Sequence, residues 1–321
     1  MIQTGTTERA RPEAIKAVPV RHPGRWIAVA VMLVLIAMFV HLLVTNERFS
    51  WNFMVNKMFR PPIIQGLRGT IILTVSSMVI GVVLGVLIAI MRLSTNPLLR
   101  TTSWAYTWFF RAVPRLVLLA LFGNLGILWH RLEFGLPFDR QIGSLLGIHD
   151  LNARIFGFDA LDVLSGFVAG LLGLALSEAA YMAEIVRAGI QSIDPGQTEA
   201  AAALGMSRSQ ILRRIVLPQA MRVIVPPTGN ETIAMLKDTS LVIYVPISAE
   251  LFNRLDSVGK QSFQQFPMYV AACLWYLFLT SILLVGQYFI ERHFSKGYGR
   301  TERAKAKLRG LEAEHGVGEV T

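Results

Sequence analysis

Four ionisable side chains interrupt long apolar runs in this 321-residue chain: Arg111 and Arg115 in one run, Glu178 and Glu184 in another. Insertion scales put a charge at mid-bilayer at roughly 2.5–3.5 kcal/mol, so each of these groups needs a cavity or a partner of opposite sign. Their types suit a zwitterion, because an Arg fork takes a carboxylate by paired hydrogen bonds and a Glu takes an ammonium. The same two carboxylates also suit proton or ion sites in a gradient-driven carrier or channel. Structural readings stand beside these. Glu184 has Arg187 three residues on along a helix, and the long stem of Arg111 can snorkel to an interface. Glu178 has no opposite charge within four residues, and Arg115 lies one turn deeper than Arg111. Asn230 and Glu231 follow the double proline Pro226-Pro227, where helical geometry is disturbed, and Lys237 to Ser240 close that segment as a structural or gating cluster.

Other chemistries have no support in the residues. The sequence contains no G-x-x-x-x-G-K-[ST] loop for ATP phosphates and no H-E-x-x-H metal pattern, and its six histidines are scattered. Cys273, the single cysteine, excludes an intrachain disulfide and a cysteine-based metal cluster. No catalytic residue, metal site or bound cofactor is therefore expected in this chain.

These groups must be positioned by membrane helices. Hydrophobic residues make up 53% of the chain and charged residues only 16%, too apolar a balance for a soluble domain of this size. The net charge of +10 sits in short segments beside the apolar runs, so it reads as a topology signal and not as a nucleic-acid surface. Six spans are expected: Trp26–Val44, Gly66–Met91, Ser103–Leu128, Leu161–Ile190, Gln219–Leu236 and Met268–Ile290. The fifth is short and carries the two prolines, which implies either simple kinks or an irregular pore-lining backbone. Residues 1–25 read as a cytoplasmic tail, 26–45 as a first membrane helix, 65–291 as the main membrane domain and 292–321 as a second cytoplasmic tail. Lys and Arg flank the first and last spans, which places both termini in the cytoplasm, and six spans satisfy that parity. Gly81 and Gly85 form a small-xxx-small pair, read as packing within the subunit or as an intersubunit contact.

The segment 194–218, between the fourth and fifth spans, falls on the cytoplasmic side. Glu199 to Leu204 favours helix, Gly205 allows a positive φ at its end, and Ser207 can cap a second helix through Ile211 and Ile215. The first helix is Ala-rich and slim, and it presents Glu199 as its one charge, as a docking element would.

At Glu199, Ala200, Ala201, Gly205, Ile215, Leu217 and Pro218 this segment resembles the EAA loop of binding-protein-dependent ABC importer permeases. Further resemblance, to the polar amino acid permeases of that family, runs from about Gln65 to Gly297. It includes Gly69-Thr-Ile-Ile-Leu-Thr74, Ala180-Tyr-Met-Ala-Glu184, Pro227-Thr-Gly-Asn-Glu231 and Lys237-Asp-Thr-Ser-Leu241. The resemblance implies an all-α polytopic protein of the plasma (inner) membrane: a five-helix permease core with one added N-terminal helix. It implies a transport subunit and not an enzyme, with ATP bound and hydrolysed on cytoplasmic ABC ATPase subunits that receive the seven loop residues. It also implies an extracytoplasmic solute-binding protein and a second permease subunit, identical or related. Arg111, Arg115, Glu178, Tyr181, Glu184, Asn230 and Glu231 are then the substrate-pathway candidates. One departure falls among them: the family's Phe-Arg-Gly-Thr-Pro reads Phe110-Arg-Ala-Val-Pro114 here, followed by Arg115.

Overall fold

The computed structural model describes residues 23–128, 131–135, 138–147, 154–159, 166–245, 247 and 249–294. The two expected cytoplasmic tails, apart from 23–25 and 292–294, lie outside the described residues. The chain divides between Phe49 and Ser50 into two compact units. In the first, α1 (Pro23–Thr45) is one uninterrupted helix of 23 residues, apolar on every face and long enough to span a bilayer.

The second unit is a helical bundle. It comprises α2 (Trp51–Met58), α3 (Pro61–Leu93), α4 (Pro97–Ala112), α5 (Arg115–Gly123), α6 (Phe167–Gln191), α7 (Pro195–Ala203), α8 (Leu217–Asp238), α9 (Leu251–Gln261) and α10 (Gln265–Phe294). Among the described residues α1, α3, α6 and α10 are each long and apolar enough to cross a membrane, and α4 with α5 passes the same test only as a pair, bent by 98° at the break. The sequence reading had one span, Ser103–Leu128, where the structure has this bent pair. Pro114 causes the break: it offers no amide proton and forces Val113 into extended backbone (φ −84°, ψ 129°), after which Val117 and Leu118 restart the helix on the carbonyl of Pro114.

α8 behaves the opposite way. It runs unbroken through Pro226 and Pro227, although Arg222, Glu231, Lys237 and Asp238 leave it too polar to count as a span by apolarity alone. Three side-chain donors add bonds to carbonyls at and on either side of the prolines. Thr228 and Thr232 donate to the carbonyls of Ile224 and Thr228 at 2.8 and 2.9 Å, and Gln287 of α10 donates to the Pro226 carbonyl at 2.8 Å.

Packing in the bundle inverts the pattern of a soluble helix. On α3 the buried stripe is Thr70, Thr74, Ser77, Gly81, Gly85 and Ala89 with a few larger residues, while Ile71, Val75, Val79 and Val83 point outward. A Cβ at Gly81 would meet Glu178 and one at Gly85 would meet Met182, so the two glycines seat α3 directly on α6 within this subunit. α6 is the most enclosed of the helices, with Leu174, Ala175, Ala179 and Ala180 fully buried. Outside the bundle, β1 (Arg131–Gly135) and β2 (Arg154–Asp159) form an antiparallel ladder with Leu132 opposite Phe158 and a register shift at Phe134/Gly135. This two-stranded hairpin is an addition to the expected all-α architecture.

Candidate functional site

Local sequence fixes the first half of the site. The break at Pro114 turns the chain so that Arg115 opens α5 and reaches across the bundle. Its guanidinium meets Glu178 Oε2 at 2.8 Å, Asp238 Oδ2 at 2.5 Å and Glu231 Oε2 at 3.7 Å. Its Nε donates to the Ser177 hydroxyl at 3.2 Å, and its plane lies 4.8 Å from the centre of the Tyr181 ring. Three helices, α5, α6 and α8, are tied by this one side chain.

Burial grades the partners. Glu178 is 0% exposed, Arg115 12% and Asp238 31%. Among the described residues Glu178 Oε1 has no hydrogen-bond partner, so the most enclosed carboxylate keeps one acceptor open. Arg111 lies on the other approach to Tyr181, 5.6 Å from the ring centre, and remains exposed. One guanidinium thus faces three carboxylates, with Arg111 nearby as a second cation. That arrangement sets three carboxyl groups against two guanidinium groups.

Of the pathway candidates, Arg115, Glu178, Tyr181 and Glu231 come together, with Arg111 at the edge. Glu184 does not join them. It is held by Arg187 at 2.6 Å, the i,i+3 pairing the sequence allowed, and Asn230 is exposed beside the cluster without a bond to it. Asp238 and Ser177 were not among the candidates. The Lys237–Ser240 cluster had been read as pairing or gating, and pairing with Arg115 is what Asp238 does. Ser177 carries no such signal except its place one residue before Glu178.

The second half of the site is the loop 194–218. Asp194 caps α7 by accepting from the amide of Gly196 at 2.8 Å. At the other end Gly205 adopts φ +78°, its amide bonds to Ala202 O, and the amide of Met206 bonds to Ala201 O, a Schellman closure. Ser207 and Gln210 then form a reciprocal capping box for the turn Arg208–Ile211. From there a π-turn at Leu212–Val216 leads into α8. Such turns are rare and gather at functional joints.

Glu199, Ala200, Gly205 and Pro218 are exposed, and Leu217 partly so, whereas Ala201 is buried and Ile215 half-buried, holding α7 to its own support. Leu204 is 84% exposed at the tip. An unsheltered leucine directly before the turning glycine was a legible signal that the sequence reading did not single out.

A third polar centre lies between the elements that follow. Glu250 caps α9 by accepting from the amide of Asn253 at 3.0 Å. It also accepts from Thr70 of α3 at 2.9 Å and Tyr276 of α10 at 2.5 Å. Burial outweighs these bonds and pushes its carboxyl above the ordinary value of 4.5. It locks three helices at the end of the bundle remote from α7.

The sequence matches the family model for the binding-protein-dependent transport system inner membrane component over residues 81–296. It is 44% identical over 313 residues to the arginine transport system permease protein ArgU of Corynebacterium glutamicum, covering 97% of this chain and 93% of that one. It is 34% identical over 239 residues to the glutamate/aspartate import permease protein GltK of Escherichia coli O6:H1, covering 74% and 95% of the two chains. Among solved structures, a crystal structure of an amino acid ABC transporter with histidines superposes with a TM-score of 0.59 at 30% identity. The match covers 76% of this chain and 98% of that chain.

Proposed function

This chain belongs to the binding-protein-dependent transport system inner membrane component family, and on that premise we propose how it works as the permease subunit of an ATP-driven amino acid importer. It is a multi-pass protein of the inner membrane and a transport subunit. ATP is bound and hydrolysed on separate cytoplasmic ATPase chains, for which the sequence has no phosphate loop of its own. A solute-binding protein delivers cargo from outside, and a second permease subunit, identical or related, completes the pathway.

The observation that carries the coupling role is the exposed, fully capped α7 with Glu199, Ala200 and Leu204 on its surface. A helix closed at both ends by its own side chains and backbone holds its shape without a partner, so it can transmit a push and not simply fold around one. Ala200 and Leu204, one turn apart, fit an apolar cleft, and Glu199 supplies the polar register. Motion then passes through the π-turn to α8, which carries Glu231 and Asp238 into the ion cluster. With the loop in the cytoplasm both termini are cytoplasmic, residues 65–291 are the transport domain and α1 is an added helix.

The cargo is a polar amino acid, and the excess of carboxylates around Arg115 favours one with a cationic side chain. The arginine permease relative is consistent with that choice. Alternating access would open and reform the hydrogen-bonded pair of Arg115 with Asp238 and its longer ion pair with Glu231, the more exposed partners, while Glu178 stays paired. The test is association of the permease with its ATPase. Leu204→Asp and Gly205→Val are expected to lower binding and stimulated hydrolysis by at least tenfold. Wild-type docking by both variants would remove the coupling assignment.

A further inference from the structure

Helices α3, α6, α8 and α10 enclose a cavity of about 830 Å³ that none of the ion-cluster residues lines. Val86, Ile90, Val186, Ile190, Met221 and Val225 supply its walls. The polar side chains that reach it already have partners. Thr228 and Thr232 donate to carbonyls one turn back, Gln287 donates to Pro226 and Glu291, and the Ser94 hydroxyl accepts from the amide of Asn96. A space of this size with so apolar a lining is suited to hydrocarbon.

The cavity is partly open, and one end of it is marked by exposed lining residues. Ile90, Leu93, Leu212, Leu217 and Ile290 line it and are each partly exposed, and they come from the C-terminal ends of α3 and α10 and from the chain entering α8. That is the end carrying α7. Beside these residues in sequence stand Arg92, Arg213 and Arg214. Among the described residues none of the three pairs with a carboxylate; Arg92 donates to the Arg100 carbonyl at 3.3 Å, and Arg213 and Arg214 are exposed. An apolar slot whose lining residues Leu93 and Leu212 have Arg92 and Arg213 as immediate chain neighbours is complementary to a molecule with a hydrocarbon tail and an anionic head.

We propose that this slot binds an anionic phospholipid, with one acyl chain in the cavity and its phosphate taken by Arg92, Arg213 and Arg214. A second copy of the chain fits less well, because the same face of that copy would bring its own guanidinium groups against these. The lipid would touch Leu212 and Leu217, which bracket the π-turn between the coupling loop and α8. Its tail would therefore brace the joint through which motion passes. The inference rests on the topology given above, which puts this end at the cytoplasmic leaflet.

The test is native mass spectrometry of the full-length permease released from nanodiscs of phosphatidylglycerol mixed with phosphatidylcholine. Retention of one phosphatidylglycerol per chain, preferred at least tenfold over phosphatidylcholine, is expected. The triple variant R92Q/R213Q/R214Q should lose that preference, and Met221→Trp should lose the bound lipid with all charges in place. Equal retention of the two lipids by the wild type, or retention of phosphatidylglycerol by the Met221→Trp variant, overturns the proposal. So does a cross-link from a cysteine at Val86 to a second copy. Lipid retention is read without the ATPase, so its failure is distinct from failure of the coupling assignment, which is read as ATPase binding by the Leu204 and Gly205 variants.

Discussion

Replacing Arg115 with Met, a side chain of similar length and no charge, removes the one cation that three carboxylates share. The loss falls chiefly on Glu178, which is 0% exposed and 2.8 Å from the guanidinium. Stranding a buried charge by deleting its partner costs about 3–5 kcal/mol. Asp238 is 31% exposed, so solvent already screens its share, which is nearer ~1 kcal/mol or less. Glu231 at 3.7 Å is beyond hydrogen-bond reach and adds little. The single variant should therefore lose roughly 3–5 kcal/mol, seen as a lower denaturation midpoint of the purified permease. Adding Glu178→Gln removes the stranded charge and should return about 2–3 kcal/mol as coupling energy in a double-mutant cycle. A loss below about 1 kcal/mol in Arg115→Met, or a coupling energy near zero, would refute the claim that Arg115 is the electrostatic tie of the bundle.

Three further outcomes follow from the same geometry. Gly85→Leu should lower the melting midpoint by the equivalent of about 1–3 kcal/mol, because even its Cβ would lie 2.5 Å from that of Met182, whereas Gly286→Ala meets open space and should be neutral. Glu250→Ala should cost roughly 2–4 kcal/mol by removing a helix cap and stranding the hydroxyls of Thr70 and Tyr276, measured by thermal unfolding in detergent. The titration of Glu250 sets a pH signature. A carboxyl raised above 4.5 in the folded protein contributes stability that is complete below the unfolded pKa and is lost as pH rises through the folded one. The wild type should lose stability relative to Glu250→Gln across that window, and a constant gap between the two proteins would sink the assignment.

What could be read from the chain depended on the range of the interaction. The helix–turn–helix of the loop was legible because Gly205 and Ser207 act, like Asp194 and Gln210, on backbone groups within three or four residues, but the expected second helix through Ile215 is a short turn, Arg208–Ile211, followed by the π-turn. The apolar spans were legible for the same reason, since α1, α3 and α10 are selected by their own composition. α8 shows the limit of that signal. Its charges make sense only beside Arg115, which is 123 residues from Asp238, and the bond from Gln287 to the Pro226 carbonyl comes from another helix. The 98° bend had a visible cause in Val113-Pro114, yet its consequence, the delivery of Arg115 to α6 and α8, needed the register of three helices. Glu250 escaped notice because its partners Thr70 and Tyr276 lie on two other helices.

The central claim is that this permease moves its cargo only when force from a separate ATPase enters at α7. The direct measurement is uptake of radiolabelled arginine and glutamine into vesicles containing the permease, its ATPase and its binding protein, with the ATPase either active or inactivated in its phosphate loop. Uptake that requires the active ATPase, and that falls at least tenfold with Leu204→Asp in the permease, is the predicted result. Uptake that persists with the inactive ATPase and follows an imposed proton gradient would contradict it, and would make Glu178 and Glu231 ion sites of a secondary carrier.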